Sequence, residues 1–194
     1  MRLNTEERQK QIIDEAIKII HQQGYTSLAI RELAKHVGIS EPAIYRHFES
    51  KEEIIAGILQ RMVELGNTVK HQLKDLSDPR KKIEQFILAQ LDYLEKHPAM
   101  TSVIFSENIF QHNDRLKSKL QKIVNLRSRL ISQILSEARQ HQQLADATME
   151  DLIVIIMGSV RMTVIEWRQA NFSYSLRKRG QHLIATIEKL IFKS

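Results

Sequence analysis

Between Val37 and Ile39 the chain places a single residue, Gly38, and on both sides of it apolar positions recur at helical spacing. Leu28, Ile30, Leu33, Ala34 and Val37 line one short segment, and Ile44 and Phe48 line the next. Two short amphipathic helices separated by so little chain must turn sharply, and glycine supplies the left-handed backbone conformation that such a turn needs. The spacing predicts a helix-turn-helix, an arrangement in which the second helix is presented to a DNA groove.

The rest of the chain is read in the same terms. With only 6 Gly and 3 Pro in 194 residues, and straight-chain helix formers dominant, an all-α fold of about nine helices is expected. Asn4 with Glu7 opens a first helix, roughly Thr5 to Gln23, that stops at Gly24. Thr26 and Ser27 are expected to cap the second helix and Ser40 the third, where Pro42 is tolerated in the first turn. Ser50 and Glu53 form a capping box for a long fourth helix, and Asp78-Pro79 starts a fifth. A sixth is expected from Ala99 to about Phe110, a seventh from Asn113 or Asp114, an eighth from Thr148 to about Ala170, and a ninth after a loop at 171–175.

In the third helix, Ile44 and Phe48 are an i, i+4 pair expected to pack inward, leaving Tyr45, Arg46 and His47 outward. Ala43 is small enough for close approach to DNA, and its methyl could meet a thymine methyl. Tyr45, His47 and Lys51 are candidates for phosphate contacts, and Arg46 for a phosphate or for bidentate reading of guanine. Glu41 departs mildly from the pattern: its carboxylate repels phosphate, yet it suits a helix start and can accept from cytosine.

These residues together resemble the N-terminal domain of the tetracycline-repressor (TetR) family of bacterial transcription regulators. The matching stretches are the helix ending in Gly24-Tyr25, then Thr26-Ser27-Leu28, Ile30-Arg31-Glu32-Leu33-Ala34, Val37-Gly38-Ile39-Ser40, Ala43 to Phe48, and Ser50-Lys51-Glu52-Glu53. The resemblance implies that Thr26, Tyr45, His47 and Lys51 hold the phosphate backbone. It places Arg31, Ser40, Glu41, Ala43 and Arg46 near base edges or neighbouring phosphates, and Ser27 is counted among the candidate contacts. It further implies a DNA-binding domain at 1–50, a helical ligand-binding and dimerisation domain at 51–194, a homodimer built on the last two long helices, and a small-molecule effector of the central helices.

For the effector site, Met62, Phe86, Phe105, Phe110 and Met157 are candidates, although core packing is the commoner role of such residues. Arg161 interrupts an apolar helix, so it either pairs with a carboxylate, meets an anionic ligand or snorkels to the surface. Ile156, Val160, Val164 and Trp167 of the eighth helix, with Leu183, Ile187 and Leu190 of the ninth, are candidates for the dimer interface.

Other function classes find little support. The net charge of +6 permits a polyanionic partner, but acidic and basic residues nearly balance through Lys51, so any DNA contact there must rest on a few placed side chains. The absence of cysteine excludes disulfides and thiolate chemistry and suits a cytoplasmic protein. No apolar run approaches the roughly 20 residues of a membrane span. The eight histidines lack metal-ligand spacing, no nucleophile elbow or phosphate loop occurs, and neither enzymatic activity nor a cofactor is expected. The reading is a repressor released from a double-stranded operator by a small molecule. The alternative is a ligand-independent DNA-bound adaptor resembling a nucleoid-occlusion factor.

Overall fold

The computed structural model describes residues 3–111 and 113–193; Met1, Arg2, His112 and Ser194 lie outside the described residues. Among them are ten α-helices: α1 (Thr5–Gln23), α2 (Ile30–Val37), α3 (Glu41–Tyr45), α4 (Lys51–Gln72), α5 (Pro79–Lys96), α6 (Met100–Ile104), α7 (Glu107–Phe110), α8 (Asp114–Gln140), α9 (Met149–Gln169) and α10 (Leu176–Ile191). They fall into two compact units, residues 1–63 with 98–122, and residues 64–97 with 123–194. Ile54, Ile55, Ile58 and Leu59 of α4 are fully buried in the first unit.

In the first unit, α1 opens with the Asn4–Glu7 box, in which each side chain bonds the other residue's amide. Its stripe Ile12, Ala16, Ile19 and Ile20 is buried with Leu33, Ala34 and Val37 of α2 and Ile44 and Phe48 of the α3 region. Gly38 takes the left-handed conformation (φ 74°, ψ 35°), and the following amide, Ile39, closes back on the Ala34 carbonyl at 3.0 Å. Thr26 and Ser27 do not cap α2. They lie in a 3-10 turn, the Ser27 hydroxyl donates to the Gln23 carbonyl at 2.9 Å, and α2 starts from Ala29 with no side-chain cap. Ser40 stands at the start of α3 without a capping bond. At α4 the Glu53 amide donates to Ser50 Oγ at 3.2 Å, while the Glu53 carboxylate accepts from the Glu49 amide at 2.9 Å.

The helix expected over Ala99 to Phe110 is two helices, broken at Phe105 and Ser106. One straight helix burying Met100 and Val103 would leave Ile109 off that face; the extended Ser106 (ψ 110°) restarts the helix so that Ile109 and Phe110 are also buried.

The second unit packs α5 against α10, and α10 against α9. Gly180 is the close approach: a Cβ there would lie 2.2 Å from Leu91 Cδ1. The loop after α9 is held by Trp167, whose indole N–H donates to the Tyr174 carbonyl at 2.8 Å and whose ring meets Phe172 edge-on at 4.7 Å. Phe172 stands at φ 59°, a conformation uncommon for a bulky residue, and its amide donates to the Trp167 carbonyl at 2.9 Å.

Candidate nucleic-acid interface

Helix α3 is short, and its two sides differ. Ser40, Glu41, Pro42, Tyr45 and Arg46 are exposed, Tyr45 to 51%, while Ile44 is fully buried and Phe48 nearly so. Thr26 and Arg31 are exposed beside them in sequence, on the turn before α2 and on α2 itself. The outward side thus offers a phenol, two guanidiniums and two hydroxyls, with one carboxylate, Glu41, among them. Such groups suit phosphate oxygens and groove edges.

Three candidates sit otherwise than expected. Ala43 is only 9% exposed and belongs to the side facing the unit's own core, so its methyl has little surface left for a thymine. His47 is half-buried, its Nδ1 is enclosed without a partner, and its carbonyl accepts from Gln9 Nε2 at 3.2 Å; only Nε2 is left for an outside contact. The physical cause is helical geometry: Ala43, Ile44, His47 and Phe48 share one face at i, i+1, i+4 and i+5. Ser27 is half-buried, and its hydroxyl is used on Gln23.

Lys51 is half-buried at the start of α4. Its ammonium donates to the Tyr25 carbonyl at 3.0 Å and lies 3.8 Å from the centre of the Tyr25 ring. Burial lowers the lysine's pKa and raises that of the Tyr25 hydroxyl. Two of the ammonium's three protons remain for other acceptors. The close approach of α4 is set by Gly57, where a Cβ would lie 2.9 Å from Ile13 Cδ1 and 3.4 Å from Phe48 Cε1.

Residues 12–58 match the model for bacterial regulatory proteins of the tetR family, and residues 58–193 match the model for the C-terminal region of YsiA-like proteins. This chain belongs to the TetR family. Its members are DNA-binding transcription regulators, and the regulator described here is one of them. Transcriptional regulators are among its structural neighbours. A nucleoid occlusion factor SlmA from Aliivibrio fischeri is 28% identical over 154 residues, covering 78% of this chain and 79% of that protein. The fold is that of the fatty acid degradation regulator FadR from Bacillus halodurans (TM-score 0.85, 18% identity, 97% of each chain). It is also that of FadR from Bacillus subtilis in complex with stearoyl-CoA (TM-score 0.82, 21% identity, 93% of this chain and 97% of that one).

The expected effector-site residues do not gather in one unit of the regulator. Met62 and Phe110 are buried, and Phe105 half-buried, in the first unit. Phe86 is buried and Met157 half-buried in the second, where Ser128 Oγ lies 3.2 Å from Met157 Sδ. Arg161 is on the exposed side of α9 and requires no buried counter-charge.

The interface candidates need a similar correction. Ile156, Val160, Val164, Trp167 and Ile187 are buried within the regulator's own second unit, so their side chains are not offered to a second subunit. Leu183 is half-buried and Leu190 is 60% exposed. The apolar surface of α9 lies on its other side, at Val154 (68% exposed), Ile155 and Met162 (52%). An almost wholly apolar helix carries two stripes, and sequence alone does not say which one its own chain covers. Among the described residues, no helix is long and apolar enough to cross a membrane, and no group of three or more His, Asp and Glu residues is placed to hold a metal.

Proposed function

We propose that the regulator is a cytoplasmic repressor that binds double-stranded operator DNA as a homodimer and leaves it when a small molecule occupies the helical C-terminal region, with residues 1–50 as the DNA-binding domain and 51–194 as the effector and dimerisation domain. The exposed Tyr45–Arg46 side of α3, backed by buried Ile44 and Phe48, carries this reading. Tyr45, Thr26 and Lys51 take phosphates, with His47 joining through Nε2. Arg46, Arg31, Ser40 and Glu41 lie at base edges or adjacent phosphates. Ala43 and Ser27 serve mainly to pack and close the head. The homodimer is supported by the exposed apolar side chains Val154, Met162 and Leu190, and by the need of a helix-turn-helix for paired copies about 34–36 Å apart on a two-fold site. The small-molecule step draws support from FadR of Bacillus subtilis, the structural neighbour in complex with stearoyl-CoA.

A second reading, a DNA-bound adaptor needing no effector, is favoured by the similarity to the nucleoid occlusion factor SlmA. Gel-shift titration on selected operator fragments, with and without a panel of small molecules, separates the two. Release by a compound supports the repressor; binding that no compound alters supports the adaptor; absence of DNA binding at low salt rejects both.

A further inference from the structure

Between Asp114 and Glu137 the chain has no carboxylate, and that stretch carries Arg115, Lys117, Lys119, Lys122, Arg127 and Arg129. The first four stand in the opening turns of α8, inside the first compact unit. Arg115, Lys119 and Lys122 are spaced i, i+4 and i+7, which puts them on one side of the helix. The Arg115 side chain is 73% exposed, Lys122 is exposed and Lys119 is half-buried. Like charges one turn apart repel each other. Burial, and after it the neighbouring Arg115 charge, lowers the pKa of Lys119. No hydrogen bond or ion pair with a described residue reaches Lys119 or Lys122.

Among the described residues, one carboxylate is paired with this row. Glu53 Oε1 on α4 lies 3.7 Å from Arg115 Nη2, while its Oε2 accepts from the Glu49 amide at 2.9 Å. An exposed pair at that separation holds the arginine only weakly. Glu49 belongs to the turn between α3 and α4, shortly after exposed Arg46, so a single side chain joins Arg115 to the end of the Tyr45–Arg46 side. The row therefore starts beside the head's DNA-facing surface and continues along α8. Its exposed neighbours Lys117, Ser118 and Gln121 are polar, so it lacks the apolar anchor around which a protein interface is built.

We propose that Arg115, Lys119 and Lys122 form a second DNA contact, taking sugar–phosphate backbone of the duplex beside the stretch met by α3. This rests on the reading of α3 as the DNA-contacting helix and extends the contact to a helix outside residues 12–58, within the part of the chain that matches the C-terminal model. A guanidinium grips a phosphate through paired hydrogen bonds, and the two ammonium groups act as point charges. Bound phosphate relieves the repulsion along the row, and the counterions it releases add affinity that carries no sequence information. The head, whose own charges nearly balance, thereby gains the electrostatic hold that it lacks alone.

The test is the salt dependence of DNA affinity, read by fluorescence anisotropy on a selected operator lengthened by a helical turn of about 10 base pairs at each end. Wild type is compared with the triple variant Arg115→Gln, Lys119→Gln, Lys122→Gln, and with Lys70→Gln, Lys74→Gln, Lys81→Gln, which removes as much charge from exposed positions of the second unit. The α8 variant is expected to lower the slope of log affinity against log salt by about 2 per bound protomer, at roughly 0.9 for each phosphate lost, while the control keeps the wild-type slope. The preference for the operator over unrelated DNA is expected to stay, and the melting temperature not to fall, since only repelling charges are removed. Should the triple variant fail to fold, Lys122→Gln alone is expected to lower the slope by about 0.9. A slope equal to that of the control overturns the proposal alone and leaves the row to an acidic protein surface. Wild-type protein that binds no DNA at low salt overturns it together with the reading of α3.

Discussion

Lys51 Nζ lies 3.0 Å from the Tyr25 carbonyl oxygen and 3.8 Å from the centre of the Tyr25 ring, joining the first turn of α4 to the turn that precedes α2. The same side chain thus braces the head and carries charge to DNA. Lys51→Met is expected to weaken operator and non-specific DNA binding together and to lower stability by about 0.5–1 kcal/mol, the size of a partly exposed cation–π contact. Gel-shift titration and thermal melting check both; unchanged melting with weakened binding would remove the bracing role.

Tyr45 and Ile44 are adjacent in sequence and opposite in burial. Tyr45→Ala is expected to leave stability within about 0.5 kcal/mol while weakening all DNA binding. Ile44→Ala is expected to cost about 2–5 kcal/mol of folding stability, measured by urea denaturation.

Arg46 is exposed beside Tyr45. If it reads a base, Arg46→Ala should lose about 1–3 kcal/mol on the selected operator and much less on unrelated DNA, narrowing the gap between them. Equal losses on both would assign it to a phosphate.

The exposed apolar residues of α9 and α10 separate interface from core. Val154→Asp or Leu190→Asp is expected to yield a folded monomer by sedimentation, whereas Ile156→Asp, placed where the chain is fully buried, should prevent folding.

Gly180 holds α10 against α5, with Leu91 where a Cβ would project. Gly180→Ala is expected to destabilise by about 1–3 kcal/mol in denaturant melts, because Leu91 is itself fully buried and has little room to yield.

Much of this arrangement was legible in the residues. The Asn4–Glu7 box, the Asp78-Pro79 start and the Thr148 cap are local signals, and each forms the bond its spacing predicts. Gly38 likewise takes the left-handed turn that separates α2 from α3. What failed depended on tertiary choices. The Ser27 hydroxyl had two acceptable uses, and the end of α1 took it. The break at Ser106 follows from where Ile109 must be buried, which no local pattern reveals. His47 was expected outward as a polar residue opposite the Ile44–Phe48 pair and Ala43 at the DNA surface for its small size, but a helix turns about 100° per residue and carried both toward the core. On α9, two apolar stripes competed, and the one holding Ile156 and Trp167 went inside.

The central claim is that the Tyr45–Arg46 side of α3 is the surface that meets DNA. Fluorescence anisotropy of a selected operator, titrated with wild-type protein and with the Tyr45→Ala, Arg46→Ala double variant at matched folding stability, tests it directly. The variant is expected to lose at least about 2 kcal/mol of binding; wild-type affinity in the folded double variant would contradict the claim.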